Sequence, residues 1–261
     1  MRVLAGVKED DGMSITQVIS PYAKRMWKAQ KEVTTDIPQV GGLKVATFGW
    51  WEIVLPTPNN YTRLHNRLLM EGVHTCAVTG LPTQQLGNEL QNGSYFWEGP
   101  MVDNHQAVGI LVHKSLRDQT VPYSMVLGTD NRAVVIGVGH CIAQAVYSPF
   151  MGKFLAADTR DFLTKVTLNH RRLQDEQRNK VVWTMGDFNL QGLAPGHEGV
   201  PVQGSQHQIL SQWMRQLLEA NGLQVVRTPA THMGGTALDV HITEQASRYE
   251  AKGVHFPEEV L

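Results

Sequence analysis

One stretch of the chain decides the fold: Val181-Val182-Trp183-Thr184-Met185, followed directly by Gly186-Asp187-Phe188-Asn189. The run of apolar and β-branched residues predicts a buried strand, and the glycine with the polar residues after it predicts the strand end. Side chains two residues apart in an extended segment point to the same side, so Asp187 and Asn189 can act on one bound group. A simple turn is the competing interpretation, because Asp and Asn are common turn formers.

Outward from this stretch, strand patterns alternate with helix patterns. Strands in clusters, with helices between them, favour two sheets with helices outside, a four-layer α/β/β/α sandwich, over an open parallel sheet. A Gly/Pro-rich segment, 192–204, has the composition of an exposed insertion that tolerates change. The other predicted strands are 43–48, 75–79, 108–112, 124–127, 133–138 and 142–147; the predicted helices are 60–71, one capped by Asp158 and closed within 174–180, and one that contains 209–218 and stops at Asn221-Gly222.

Residues 1–42 differ from the rest of the chain and predict a partly helical N-terminal extension, ahead of one domain that spans 43–261. Gly41-Gly42 is a linker signal. Apolar residues near helical spacing give the extension one face that must be buried against its own domain or against another protein. These residues are Ile15, Val18, Ile19, Tyr22, Met26 and Trp27.

Composition excludes several classes of protein. The formal net charge is −1, so there is no global positive field of the kind that a generic nucleic-acid binder uses. No stretch is apolar for long enough to span a membrane, and the first residues do not form a signal peptide. Cys76 and Cys141 lie among apolar neighbours, which predicts buried, reduced thiols and a reducing, intracellular compartment that the sequence does not name further.

Several segments together resemble a known family, the endonuclease/exonuclease/phosphatase superfamily, in particular the apurinic-type endonuclease domain of non-LTR retrotransposons. The resemblance covers roughly Leu43 to the C-terminus and implies a DNase I-like sandwich of retrotransposon origin. It is carried, in chain order, by Val45-Ala46-Thr47-Phe48, Val108-Gly109-Ile110-Leu111-Val112, Val146-Tyr147-Ser148-Pro149, Gly186-Asp187-Phe188-Asn189, and the segment Thr231-His232-Met233-Gly234-Gly235-Thr236-Ala237-Leu238-Asp239.

The resemblance also implies a site. Working members hydrolyse a phosphodiester with an activated water and a bound Mg²⁺. Tyr147 matches the tyrosine that contacts phosphate, Asp187 the aspartate that orients the nucleophile, and Asn189 the asparagine of the transition-state pocket. His255 matches the final histidine. The competing interpretation gives these four residues purely structural roles, as turn caps or packing groups.

Other positions depart from the family pattern. Gly49 stands where the family has an asparagine, and Thr79 or Gly80 where it has the metal-binding glutamate. The acidic partner of the final histidine is replaced by Val254. Because Mg²⁺ needs carboxylate oxygens and a catalytic histidine needs an orienting acid, we expect a degenerate site with no metal or other cofactor.

Two functions follow from these observations. The first is a pseudo-nuclease, not an enzyme, that serves as a structural or interaction subunit of a larger assembly with protein partners. The alternative is an active Mg²⁺-dependent phosphodiesterase that acts on nucleic acid and recruits a carboxylate from Glu52, Glu89 or Glu98; a small-phosphate phosphatase needs the same ligands.

The histidines of the chain do not predict a metal site of their own. No paired-histidine metal spacing occurs, and His170-Arg171-Arg172 predicts a solvated helix face.

Overall fold

The structure is a computed structural model that describes residues 2–7, 44–49, 58–80, 93–100, 108–123, 132–148, 156–228, 230 and 237–254. Within these ranges two six-stranded sheets pack face to face, with helices outside. The strands are β1 (Arg2–Val7), β2 (Val45–Gly49), β3 (Thr75–Thr79), β4 (Tyr95–Glu98), β5 (Val108–His113), β6 (Thr120–Tyr123), β7 (Ala133–Val138), β8 (Cys141–Tyr147), β9 (Val181–Asp187), β10 (Gln224–Val225), β11 (Asp239–Thr243) and β12 (Tyr249–Val254), and the α-helices are α1 (Pro58–Met70), α2 (Ala156–Glu176) and α3 (Gln206–Ala220).

The first sheet has the strand order β12-β1-β2-β3-β5-β4, in which β2 and β3 are parallel and the other pairs antiparallel. Helix α1 covers its outer face, because Leu64 and Leu68 join the same buried apolar cluster as Cys76 and Leu111. The ring of His65 on α1 accepts the backbone N–H of Ser94 at 2.8 Å. The helix is thereby fixed to the sheet by packing and by a polar contact.

The second sheet has the order β10-β11-β9-β8-β7-β6, in which β8 and β9 are parallel. Helices α2 and α3 cover its outer face through Phe162, Leu163, Leu210 and Met214, which share one buried cluster with Val146. The four-layer α/β/β/α sandwich predicted from the sequence is confirmed. No helix in the described ranges is both long enough and apolar enough to cross a lipid bilayer.

The first residues of the chain form a strand of the first sheet. β1 lies between β12 and β2, antiparallel to both. Residues 8–43 lie outside the described residues, including the segment predicted to be helical, so the division at residue 42 stays a prediction. What the structure adds is that 2–7 pair with strands of the domain itself, because β12 offers a six-residue antiparallel partner.

The starts of β2 and β9 lie at the same end of the sandwich. In the first sheet Val7 lies opposite Tyr249, and Ala5 opposite Val45, so Tyr249 is level with the start of β2. The ring of Tyr249 packs against that of Trp183, with 4.4 Å between centroids. Trp183 belongs to the first half of β9.

The later parts of the same two strands also meet. Thr47 Oγ1 in β2 lies 2.7 Å from His241 Nε2, and His241 is the register partner of Met185 in β9. β2 and β9 therefore run in the same direction, and so does β3, which is parallel to β2. We call the end where Gly49, Thr79 and Asp187 lie the site end of the sandwich.

Three sequence expectations need correction. The segment 192–204 is exposed only in part: 196, 198–200 and 202–204 are exposed as predicted, but Leu193 and Ala194 are buried, and Ser211 of α3 donates a hydrogen bond to the preceding carbonyl of Gln191 at 2.6 Å. His170 is not solvated but 1 % exposed, because its ring turns under α2 and lies 2.7 Å from Thr184 Oγ1. Helix α2 is already formed at Ala156, so Asp158 lies in its first turn. The predicted strand at 124–127 lies outside the described residues.

Candidate functional site

Three polar side chains form a row across the second sheet at the site end. Tyr147, the last residue of β8, is the register partner of Asp187, and Asp187 is the register partner of Asp239, the first residue of β11. Side chains of register partners lie on the same face of a sheet, about 5 Å apart. The row faces the first sheet, because Trp183 and Met185, which share the face of Asp187, pack in the cluster between the sheets.

Gly186 explains why the strand can end in this way. Its φ of +143° is disfavoured for residues with a side chain, and a Cβ at this position would lie 1.9 Å from the carbonyl oxygen of Val146. The backbone of β9 therefore comes unusually close to β8 just before Asp187. Only glycine permits this approach, which places Asp187 beside Tyr147.

Asn189 holds the turn that follows Asp187. Its φ of 50° is left-handed, a conformation that Asn adopts more readily than most residues. Its backbone N–H donates to Asp187 Oδ1 at 2.8 Å, and its side-chain Nδ2 donates to the carbonyl of Ser148 at 2.9 Å. The N–H of Ser148 in turn donates to the carbonyl of Asp187 at 2.8 Å. The turn is thus closed by three hydrogen bonds.

These contacts support both interpretations of Asp187 and Asn189. The turn role is real, because each residue bonds within the turn. However, the carboxylate of Asp187 also lies in the row with Asp239 and Tyr147. Forming the turn does not require a second acid beside Asp187, so the turn role alone does not explain Asp239. Asp239 is 6 % exposed and was not among the predicted site residues, although Leu238-Asp239 was part of the resemblance. Its significance depends on register, which the sequence alone does not supply.

At the site end, the central strands β2 and β3 of the first sheet bring no acid within the described residues. Gly49 and Thr79, register partners at the carboxyl ends of β2 and β3, stand there, and Thr79 is buried. Gly80 follows with a φ of 74°, a turn conformation. Gly49, Thr79 and Gly80, which differ from the family pattern, therefore lie in the first sheet, on the side of the sandwich opposite the row.

His255 lies outside the described residues. β12, which ends at Val254, runs from the level of Val7 to that of Arg2 in β1, and so ends at the site end. His255 is the next residue in the chain. Its role stays a prediction.

Of the three glutamates considered as substitute ligands, only Glu98 is described. It lies on β4, the edge strand of the first sheet, with β5 between β4 and β3. Strands are about 4.8 Å apart, so Glu98 is displaced by roughly 10 Å from β3, whereas Asp187 lies on an interior strand of the other sheet. Burial raises the pKa of Glu98, and the nearby Arg117 guanidinium partly opposes this. Glu98 therefore lies near the site end but at the edge of the first sheet, two strands from β3.

The donor set can be tested against a magnesium ion. Mg²⁺ prefers an octahedron of oxygens that includes carboxylates, and Asp187 and Asp239 offer two carboxylates from one sheet. The ends of β2 and β3 offer none, and no group of three or more His, Cys, Asp or Glu side chains in the described ranges is arranged to hold an ion. The described residues do not fit a metal bound between both sheets, so we derive no chemical step through it.

Asn189→Ala should destabilise the protein more than Asn189→Gly. Both substitutions remove the bond to Ser148, but only alanine must hold the left-handed φ with a Cβ, at a cost of about 1 kcal/mol or more. Urea unfolding of the two variants measures the difference. Equal midpoints would show that the backbone conformation of this turn adds nothing to stability.

Comparison with known proteins shows which solved structures share this fold. No protein-family model matches the chain, and no curated protein matches it. Among solved structures, it is similar to a 3'-5' exonuclease from Neisseria meningitidis, with a TM-score of 0.56 and 16 % identity over 78 % of this chain and 88 % of the other. An AP endonuclease from Leishmania major gives a TM-score of 0.56 and 10 % identity over 78 % and 79 %.

The endonuclease domain of TRAS1, a telomere-specific non-LTR retrotransposon, gives a TM-score of 0.50 and 13 % identity over 76 % of this chain and 84 % of that one. The identities are low, so the likeness shows the fold and not the chemistry. The chain has the fold of the endonuclease/exonuclease/phosphatase superfamily, as its sequence motifs predicted.

Proposed function

We propose that the protein is an endonuclease-like protein with a degenerate site, which serves as a structural or interaction subunit of a larger assembly. The observation that carries this proposal is the composition of the site end: among the described residues, β2 and β3 end there in Gly49 and Thr79 and contribute no carboxylate. A phosphodiester carries negative charge, so a site with two aspartates needs a cation to accept it. The missing ligand therefore weakens substrate binding as well as catalysis.

The charge of the chain supports the same proposal. With a formal net charge of −1, the protein lacks the general attraction for nucleic acid that would compensate for a weakened site. Protein partners are the more consistent binding class, and nucleic acid is the alternative suggested by what the structural neighbours are named for.

The second candidate, an active Mg²⁺-dependent phosphodiesterase acting on nucleic acid, is favoured by one observation. Asp187 and Asp239 are register partners at a strand end, and two carboxylates with substrate oxygens are sufficient for some magnesium sites. Glu52 and Glu89 lie outside the described residues, and a carboxylate from either would supply the third ligand of this candidate. His255, which also lies outside them, matches the catalytic histidine of the family and is not a magnesium ligand.

A cleavage assay separates the two candidates. Abasic and supercoiled DNA are incubated with the full chain in Mg²⁺ and in Mn²⁺, beside Asp187→Ala purified in parallel. We expect the two proteins to give the same background cleavage. Cleavage by the wild type that Asp187→Ala abolishes would overturn the degenerate site in favour of the second candidate.

Restoring the missing carboxylate tests the stated cause. Thr79→Glu places an acid at the end of β3, facing the row, and Thr79→Gln is the neutral control of equal size. We expect Thr79→Glu alone to gain Mn²⁺ binding, measured by electron paramagnetic resonance of the free ion. Circular dichroism establishes that both variants fold. Equal Mn²⁺ binding by wild type and both variants would contradict the loss of a ligand here.

A further inference from the structure

Two buried ring nitrogens between the sheets have no hydrogen-bond partner in the described part of the chain: His241 Nδ1 and Trp183 Nε1. Both side chains are fully buried. Their ring centroids are 6.2 Å apart, with the planes at 88°. The two rings lie below the row, because His241 follows Asp239 by two residues on β11 and faces the same side.

Buried polar atoms of folded proteins are nearly always bonded to protein or to ordered water. Buried waters typically bond polar groups that lack protein partners, and the two rings that carry these atoms are neighbours, with 6.2 Å between centroids. Thr75 Oγ1, in β3 of the facing sheet, is a third buried atom without a partner. It faces the same inter-sheet layer, because Thr75 is the register partner of Val45, which shares the inward face with Thr47.

The hydrogen-bonding roles of the two rings complement each other. An indole Nε1–H can only donate. Burial lowers the pKa of His241 to about 3, so the ring is neutral and carries one proton. With Nε2 at 2.7 Å from Thr47 Oγ1, the tautomer that donates to this hydroxyl leaves Nδ1 as an acceptor. A water between the rings can then accept from Trp183 and donate to His241.

We propose that one water molecule is bound between the sheets, where it accepts a hydrogen bond from Trp183 Nε1, donates one to His241 Nδ1, and has the Thr75 hydroxyl as its third partner. This water joins β9 and β11 on the same face as Asp187 and Asp239, further from the site end. Through Thr47, the same histidine joins β11 to the first sheet. The site is structural and does not depend on whether the protein cuts nucleic acid.

Nuclear magnetic resonance detects such a water. In the ¹⁵N-labelled chain, the indole signal of Trp183 is assigned by its loss in Trp183→Phe, and a rotating-frame experiment separates a bound water from proton exchange by sign. We expect a bound-water cross-peak at Trp183 and none at Trp97, whose Nε1 donates to the carbonyl of Pro100 at 3.3 Å. The ring nitrogens of His241 should show the tautomer protonated at Nε2. Absence of the cross-peak, or a proton on Nδ1, would overturn the proposal.

Substitution of Thr75 tests the third partner. Thr75→Val keeps the shape and removes the hydroxyl, and Thr167→Val is the matched control, because Thr167 Oγ1 is buried and donates to the carbonyl of Leu163 at 2.8 Å. If water satisfies Thr75, both variants should lower the urea midpoint. A raised midpoint for Thr75→Val alone would show that its hydroxyl is unbonded in the fold, and would remove Thr75 from the site.

Discussion

Gly186→Ala should lower the free energy of unfolding by about 3 kcal/mol or more, through backbone strain and overpacking together. The added methyl would lie 1.9 Å from the carbonyl oxygen of Val146, and the φ of +143° is disfavoured for alanine. Neither strand can move away easily, because β8 and β9 are paired over their whole length. Urea unfolding followed by circular dichroism measures the loss.

Gly196→Ala is the matched control for this loss. Gly196 has a φ of +90° and no atom within 4 Å of the added methyl, so this substitution carries conformational strain without a clash. We expect a loss of about 1 kcal/mol, the ordinary cost of a non-glycine residue at positive φ. Similar losses for the two variants would show that the contact with Val146 relaxes freely and does not fix the strand end.

The fold was largely predictable because its central strands have strong local patterns. Thr75–Thr79 and Ala133–Val138 are observed as predicted, and α3 ends at Ala220 with Asn221 as its C-cap, followed by Gly222 at a φ of 68°. Cys76 and Cys141 are both buried, as expected. In these segments, local propensity and burial favour the same structure, so a single sequence carries enough information.

The elements that were missed depend on partners distant in the chain. β4, β6 and β1 are short edge or terminal strands, and β1 is a strand because β12 pairs with it. His170 lies in a charged stretch, yet its ring is buried because Thr184 on β9 offers a hydrogen bond. No window of sequence contains both members of such a pair, so these contacts become visible only in the fold.

The candidate site shows the same division. Asp187, Asn189 and Tyr147 were chosen because they lie in the segments that resemble the family, and their functional roles stay predictions. Asp239 lies in such a segment too, but its position beside Asp187 follows only from the register of β9 and β11. The role assigned to His255 stays a prediction, because the residue lies beyond the described end of β12.

The protein should lose stability steeply below pH 6.5. Burial lowers the pKa of His170 and of His241 to about 3, and burial, with nearby positive charge, lowers the pKa of His65 and of His74 to about 4. These rings stay neutral in the fold but take up protons when the chain unfolds. The lowered pKa values therefore leave the free energy of unfolding unchanged above pH 6.5. They reduce it increasingly as the pH falls from 6.5 toward the pKa values of the folded state.

His170 and His241 set the size of the effect, because both are almost completely buried. Each should cost about 1.4 kcal/mol per pH unit between pH 6 and pH 4. Urea unfolding at pH 7.5, 6.5, 5.5 and 4.5 gives the slope. His170→Gln should reduce this slope by the contribution of one proton. His140→Gln is the control, because His140 lies at an exposed turn between β7 and β8. If His170→Gln leaves the slope unchanged, His170 has the same charge in the folded and unfolded states, and the burial described for its ring does not govern the acid response.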